Sequence, residues 1–548
     1  MKCILSLFAL LNICTFVNAQ NVNPEINELF NTLNQDGKPG CVISIQKKGK
    51  TIYYNAFGNQ NISSNLRNTK NTIFNLGSVS KQFTAMGIVL LNQKGLLDFN
   101  DSIGKYLPQL SKELHPITIN QLLHHTSGIR STPEFFGLAG WTESDTITTE
   151  DDFQFLCRQT ATNFIPGSQY MYSNSGYVLL AKIIEAVTET TFSSWMKENI
   201  FTPLNMNNTF VDASNANSKF NVAKPYIQVG PDSYSIAHNP SHDIGASNIY
   251  SNIIDLNTWI RNFDKPIKGW AKNFKKLETT ELLSNGYENN YAYGIFLDKD
   301  HGNLRIQHTG ATPGYLSYMY YYPKEKLSII LLSNLLSREI DAKVNKISSL
   351  YLKDKSKVTS TKPKPSKLLS YDKYDSLDFS GRYWNINRNY AREIKFINDT
   401  LWYIRDNGSK SQLIKIDRYK YYLDGIPTMV KVTYNQSTQT MVVQDSNSAP
   451  EHFKQFDNSS LSVSDLKDYT GNYYSEELQT TYKIELIDNK LRGFHTKFGQ
   501  FEIDIIRKDL IDWSGFATVK YIRNTAKEIT GFYVNLNRVK NVWFKKIE

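Results

Sequence analysis

"DFSGRYW" at residues 378–384 returns as "DYTGNYY" at 468–474, and "EIKFINDTL" at 393–401 returns as "KIELIDNKL" at 483–491. Both pairs are offset by ninety residues. Two agreements at one offset mark an internal repeat, which means one structural unit used twice. Each copy alternates aromatic and polar residues, as half-buried strands do, and carries few helical patterns. Each is long enough to close as a small all-β barrel. The copies are assigned to residues 369–458 and 459–548.

The chain has 548 residues, so several domains are expected rather than one core. "KDKSKVTSTKPKPSKLLS", 353–370, is polar, basic and carries two prolines. It reads as an extended linker, assigned to 354–368. Before it, residues 20–353 alternate helical and strand patterns. "CVISIQKKGKTIYYNAFG" has the form of a hairpin with a Lys-Gly turn, and "SYMYYYPKEKLSIILLSN" repeats that form near the end of the region, turning at Pro323 to Lys326. Strands at both ends with helices between them predict one sheet built from the two termini. The fold class is therefore α/β (α+β) with a mixed, mainly antiparallel sheet.

The first residues, "MKCILSLFALLNICTFVNAQ", place one lysine before an apolar run and small residues at Val17-Asn18-Ala19. They read as a secretory signal peptide, 1–19, cleaved after Ala19. A lipoprotein anchor at Cys14 is the competing reading, against which stands the bulky Ile13. No later segment has about 18 consecutive apolar residues, so no membrane span is expected. The protein is expected to be exported, either periplasmic or fully secreted, from a bacterium. Cys3 and Cys14 leave with the signal, and Cys41 and Cys157 remain as free thiols with no metal-ligand spacing around them. Net charge is +10, spread along the chain without a basic run interleaved with aromatics. That pattern is a solvated basic surface, and no nucleic-acid partner is expected.

"GSVSKQFTAMGIVLLNQKG", 77–95, begins with a serine at the mouth of a helix. Val79, Phe83, Met86 and Leu90 form one apolar stripe, and Gly95 ends the helix. Ser78 therefore lies where unpaired N–H groups and the positive end of the dipole favour an oxyanion. Lys81 stands one turn on, on the same face. A desolvated lysine there has its pKa lowered enough to share the serine proton. The pattern S-x-x-K alone is uninformative, because it also starts at Ser44, Ser102, Ser194, Ser370 and Ser464. The preceding Gly77 and the hydrophobic helix single out Ser78. A second group, "IPGSQYMYSNSGYVLLAKIIEAVTE", puts Tyr172 and Asn174 in a short loop before another amphipathic helix. A tyrosine near cations can serve as a base, and Asn174 offers a donor and an acceptor. Tyr-x-Asn recurs five more times among 33 tyrosines, so it too is weak alone. The third group is His308-Thr309-Gly310, which occurs once, at a strand end. Gly310 is expected to let a substrate backbone come close, and the N–H of Ala311 to supply an oxyanion donor.

Taken together, Ser78-x-x-Lys81, Tyr172-x-Asn174 and His308-x-Gly310 resemble the serine β-lactamase and penicillin-binding-protein superfamily, in its class C-like branch of esterases and D-aminopeptidases. "QLLHHTSGI" (121–129), "PGSQYMYSNSGYVLL" (166–180) and "GASNIYSNIIDLNTWI" (245–260) resemble blocks of that group in the same order. The resemblance covers about residues 25–350. The C-terminal repeats resemble, more weakly, the lipocalin-like barrels appended to some members. The resemblance implies a β-lactamase/DD-peptidase-like catalytic domain. It implies that Ser78 forms an acyl-enzyme and that Lys81 and Tyr172 move protons, with the base unassigned between them. Asn174 would hold the substrate amide, and the N–H groups of Ser78 and Ala311 would form the oxyanion hole. No metal or cofactor is implied. The family's usual lysine at the third motif is His308 here. A mostly neutral histidine implies weak recognition of carboxylate-bearing substrates. The expected activity is therefore that of a secreted serine hydrolase on small esters or amides, D-amino-acid or cell-wall peptides. A β-lactamase or D-alanyl-D-alanine carboxypeptidase is the alternative, and a catalytically silent binding or sensor protein is the alternative of another class. The barrels either brace the catalytic domain or lend a loop to its entrance. Oligomeric state is not fixed by the sequence.

Overall fold

The computed structural model describes residues 24–352 except 36, 143, 212–220 and 241–242, and residues 379–548 except 386–389, 406–407, 425–429, 446–449, 457–460 and 515. The expected signal peptide and linker lie outside the described residues.

The first hairpin is β1 (Cys41–Lys47) and β2 (Lys50–Phe57). Its two turn residues, Lys48 and Gly49, both have positive φ (52° and 76°), as a tight hairpin of the right twist requires. Four further strands complete the sheet: β3 (Phe296–Asp300), β4 (Asn303–Thr312), β5 (Tyr315–Tyr322) and β6 (Leu327–Ser333). Their order is β3-β4-β5-β6-β1-β2, and β1 pairs with β6 from Cys41↔Ser333 to Lys47↔Leu327. The sheet thus joins the two ends of the region. It is wholly antiparallel, because hairpins and one long return make every pairing.

β6 is buried at every residue, since both faces of the sheet are covered. Ile330 and Leu332 pack into the larger core, which includes α1 (Lys81–Gln93), α2 (Asn174–Thr188) and α3 (Ile253–Arg261). Ile329 and Leu331 point the other way, onto Ile26 and Phe30 and onto Val344 and Ile347 of α4 (Arg338–Tyr351). α1 is the central helix, and its residues from Lys81 to Leu91 are all buried. The amphipathic stripe expected from the sequence is therefore a helix buried all round.

The C-terminal third is two antiparallel β-units. The first is an eight-stranded closed barrel, in which Gly381–Asn385 pairs with Tyr390–Ile397 on one side and Glu451–Phe456 on the other. The second repeats that circuit ninety residues on: Gly499–Glu502 pairs with Lys490–His495 and Asp504–Arg507 with Leu510–Trp513, and these two strands are one run of chain broken at Ile503 where the first unit has the unbroken Lys410–Asp417. Its core is continuous with Phe135, Phe136 and Leu138 of the helix Thr132–Leu138, which belongs to the region before the linker. No helix among the described residues is long and apolar enough to cross a membrane.

Candidate active site

Ser78 sits in a 3-10 turn, Gly77–Ser80, that runs straight into α1. Gly77 has φ +50, and a Cβ there would lie 2.8 Å from the Ala311 nitrogen. A Cβ on Gly310 would lie 2.0 Å from the Leu76 carbonyl oxygen and 2.9 Å from the Ser78 nitrogen. Glycine at both positions lets the end of β4 lie directly against the turn that carries Ser78. Gly310 was expected to make room for substrate. Its missing side chain instead makes room for this turn. The N–H groups of residues 78 and 311 are thereby set side by side.

Lys81 is fully buried, and its Nζ has three oxygen neighbours: Ser78 Oγ at 3.1 Å, Asn174 Oδ1 at 2.9 Å and the Ala246 carbonyl at 2.9 Å. Two of the three can only accept. A neutral amine has two N–H bonds and one lone pair, so it gives its hydrogens to Asn174 and Ala246 and turns its lone pair to the Ser78 hydroxyl. Burial pushes the Lys81 pKa down to about 7, Asp243 pulls it up, and Arg538 adds a smaller downward push.

Tyr172 lies in the segment before α2. Met171 N–H donates to the His125 carbonyl (3.0 Å) and Ser173 N–H to His125 Nδ1 (3.2 Å), so this segment is laid along residues 125–126. The Tyr172 ring stands 4.7 Å from Lys81 Nζ. Its hydroxyl is buried without a well-formed hydrogen bond, near Ser78. Burial pushes this phenol above its ordinary pKa, and the neighbouring Ser78 only partly offsets that.

His308 is buried beside Tyr172, with ring centroids 6.1 Å apart. Its Nδ1 is 2.6 Å from the Thr309 carbonyl, which can only accept, so Nδ1 carries the hydrogen and Nε2 accepts from the Tyr291 hydroxyl at 3.1 Å. Burial first, and Lys81 second, hold its pKa down to about 3. The neutral form expected from the sequence is therefore strongly enforced. His125 is likewise held well below its ordinary value by burial and nearby cations.

The structure brings together Ser78, Lys81, Tyr172, Asn174, His308, Gly310 and Ala311. It adds residues that the sequence did not single out. The Ala246 carbonyl and Asp243 come from the segment around 245–249, which also braces α1 through Thr84 Oγ1 to the Gly245 carbonyl (2.7 Å) and Ile249 N–H to Ser80 Oγ (3.2 Å). His125 and Tyr291 form an aromatic wall behind Tyr172, with the His125 ring 4.2 Å from Tyr172 and 4.4 Å from Tyr291. Recurring blocks marked the first two segments without assigning their roles. Nothing in the sequence marked Arg538. It lies in the turn between Ile529–Leu536 and Val539–Ile547 of the second β-unit, and its guanidinium carbon is 5.8 Å from the Tyr172 ring centroid.

The Beta-lactamase family matches residues 26–350. Penicillin-binding protein 4* of Bacillus subtilis is 28% identical over 333 residues, 58% of this chain and 72% of that protein. Protein flp of Staphylococcus aureus is 27% identical over 323 residues, 57% of this chain, which spans only 62% of that relative's length. Two solved structures share the fold. An octameric penicillin-binding protein homologue from Pyrococcus abyssi has TM-score 0.53 and 23% identity, covering 79% of this chain and 99% of its own. A D-amino acid amidase from Ochrobactrum anthropi has TM-score 0.51 and 20% identity, covering 60% of this chain and 98% of its own.

Proposed function

Because the chain belongs to the Beta-lactamase family, we propose that it is a secreted serine hydrolase that works through a Ser78 acyl-enzyme on small esters or amides, D-amino-acid or cell-wall peptides. The observation that carries this reading is the hydrogen-bond set of Lys81. Two acceptor-only oxygens take its hydrogens, which leaves the amine lone pair to the Ser78 hydroxyl. Lys81 is the base that takes the Ser78 proton as Oγ attacks the carbonyl carbon. Tyr172, kept protonated by burial, is the group that hands a proton to the leaving amine or alcohol. The N–H groups of Ser78 and Ala311 receive the oxyanion, and losing one such donor costs on the order of 3 kcal/mol in the transition state. Asn174 orients Lys81 and meets the substrate amide. Water then releases the acyl group by the same proton transfers in reverse.

His308 supplies no positive charge, which speaks against efficient turnover of substrates with a carboxylate next to the scissile bond. Weak nitrocefin hydrolysis is expected, and rapid turnover by the purified chain would favour the β-lactamase alternative. The decisive experiment is labelling with a fluorophosphonate, which should mark Ser78 and leave Ser78→Ala unmarked. An unlabelled wild-type protein would support the silent-sensor alternative. A panel of p-nitrophenyl esters and D-aminoacyl anilides then separates esterase from D-amino-acid amidase activity.

A further inference from the structure

His308 leaves the immediate site without a fixed positive charge at the third motif, yet a cation reaches the site from another part of the chain. The turn 537–538 is held on the catalytic region by its backbone. Asn163 Nδ2 donates to the Arg538 carbonyl (2.9 Å), and Lys540 N–H donates to Asn163 Oδ1 (2.7 Å). The Arg538 side chain then crosses to Tyr172 and gives Nε–H to Glu134 Oε1 at 2.6 Å. That hydrogen bond uses one of the five guanidinium hydrogens, and the arginine keeps 30% side-chain exposure. Beyond it opens a cleft of about 600 Å³, where residues 169–171 meet both β-units. Tyr170 and Met171, which lead directly to Tyr172, share its wall with Arg538, and Arg382 and Lys540 line it against Asp504 and Asp512. The volume suits a ligand of several residues.

We infer that Arg538 is a specificity residue of the hydrolase, binding a carboxylate on the distal part of an extended substrate lodged in this cleft. The inference rests on the Ser78 acyl-enzyme reading. The guanidinium meets the site at the Tyr172 ring, 5.8 Å from its centroid, and not at Ser78 or Lys81, so a carboxylate on the atom next to the scissile bond falls short of it. One set two or three backbone lengths away, at ~3.3–3.6 Å each, comes within reach. A planar guanidinium with free N–H edges suits such a group, through two parallel hydrogen bonds. Glu134 holds the arginine in place and opposes the incoming anion.

The test uses the full chain and two probes of equal length, p-nitrophenyl hydrogen suberate and p-nitrophenyl octanoate. The quantity read is the ratio of their kcat/KM values, which cancels any loss common to both. Wild type should favour the anionic ester. Arg538→Gln should lower the ratio roughly ten-fold, the size expected for a charge-assisted hydrogen bond, and Arg538→Lys should restore part of it. Glu134→Gln should move the ratio the opposite way, which keeps the test informative if Arg538→Gln does not fold. An unchanged ratio in both variants, or no anionic preference in a wild type whose Ser78 still takes the fluorophosphonate, overturns the inference alone. Loss of Ser78 labelling in wild type overturns the acyl-enzyme reading and this inference with it.

Discussion

Tyr383 and Tyr473 stand ninety residues apart, and each gives its hydroxyl to the carbonyl four residues back, at 2.7 and 2.8 Å. The strands that follow keep the same offset: Tyr390–Ile397 answers to Thr480–Ile487, and Thr400–Arg405 to Lys490–His495. The turns between those strands agree too, with Asn398 and Asp399, and Asp488 and Asn489, all at positive φ. From one pattern the two units have come to different ends. The first closes on itself, around a core of its own residues that includes Leu401, Tyr421 and Phe453. The second breaks the matching strand at Ile503 and shares its core with the helix Thr132–Leu138 of the preceding region, whose Leu138 carbonyl accepts from the Tyr482 hydroxyl at 2.9 Å. The unit that packs on a helix from outside itself is the one that sits beside the active site.

If that difference is real, equal injuries to the two units should have unequal consequences. Phe136→Ala removes a ring from the shared core. It should cost about 3–5 kcal/mol in thermal or denaturant unfolding and lower kcat/KM with it. Leu401→Ala, inside the closed barrel, should cost about 2–5 kcal/mol of that unit's stability yet leave ester turnover at the wild-type level. Equal losses of turnover in both variants would erase the distinction.

A second contrast uses charge. Arg130 is fully buried and spends its guanidinium on Glu477 (2.7 Å) and on the carbonyls of Lys540 (2.8 Å) and Asn541 (2.9 Å), all in the second unit. Arg130→Met strands that carboxylate and both carbonyls, and should cost about 3–5 kcal/mol. Changing Glu477→Leu as well should recover much of the loss, because the desolvated charge goes too. In the first unit, Lys420 and Asp417 pair at 3.2 Å with more than half of each side chain exposed. Lys420→Met should leave stability close to that of wild type, because water already screens the pair.

The repeat, the end-to-end sheet and the serine motifs were legible in the sequence because each is carried by local pattern. Ser78 and Lys81 share one helical turn, and the β-units announce themselves by period-two alternation. The packing of the second unit on the helix Thr132–Leu138 was not legible. Its strands read like those of the first, and the residues that it packs against, Phe135 and Phe136 of another region, look from the sequence like ordinary core residues. The same limit hid Ala246, which acts through a backbone carbonyl that no residue type encodes. It also hid Arg538, an ordinary basic residue in a turn until docking sets it against Tyr172. His308 was legible as neutral, but its burial, which enforces that state, comes from Tyr291, Phe296 and Tyr172 closing round it.

The smallest expected effect concerns pH. With Lys81 at about 7 and acting as base, kcat/KM for a neutral ester should rise as pH climbs through about 7 and fall below it, where the amine is protonated. The groups facing Lys81 are the hydroxyl of Ser78, the rings of Tyr172 and Tyr177, His125, His308, Asp243 and Arg538. Both histidines are held below their ordinary range and both phenols above theirs, so the acid limb belongs to the lysine. Arg538 pushes the Lys81 pKa down, so Arg538→Gln should move the limb to higher pH. The shift should be less than one unit, below about 1.4 kcal/mol, and should shrink as salt screens the pair. Arg405→Gln in the first unit removes the same charge from the protein as a whole, at a place that does not face the lysine, and should leave the limb where it is. Equal shifts in the two variants would mean that overall charge is being read, and the second unit would lose its claim to act on the site.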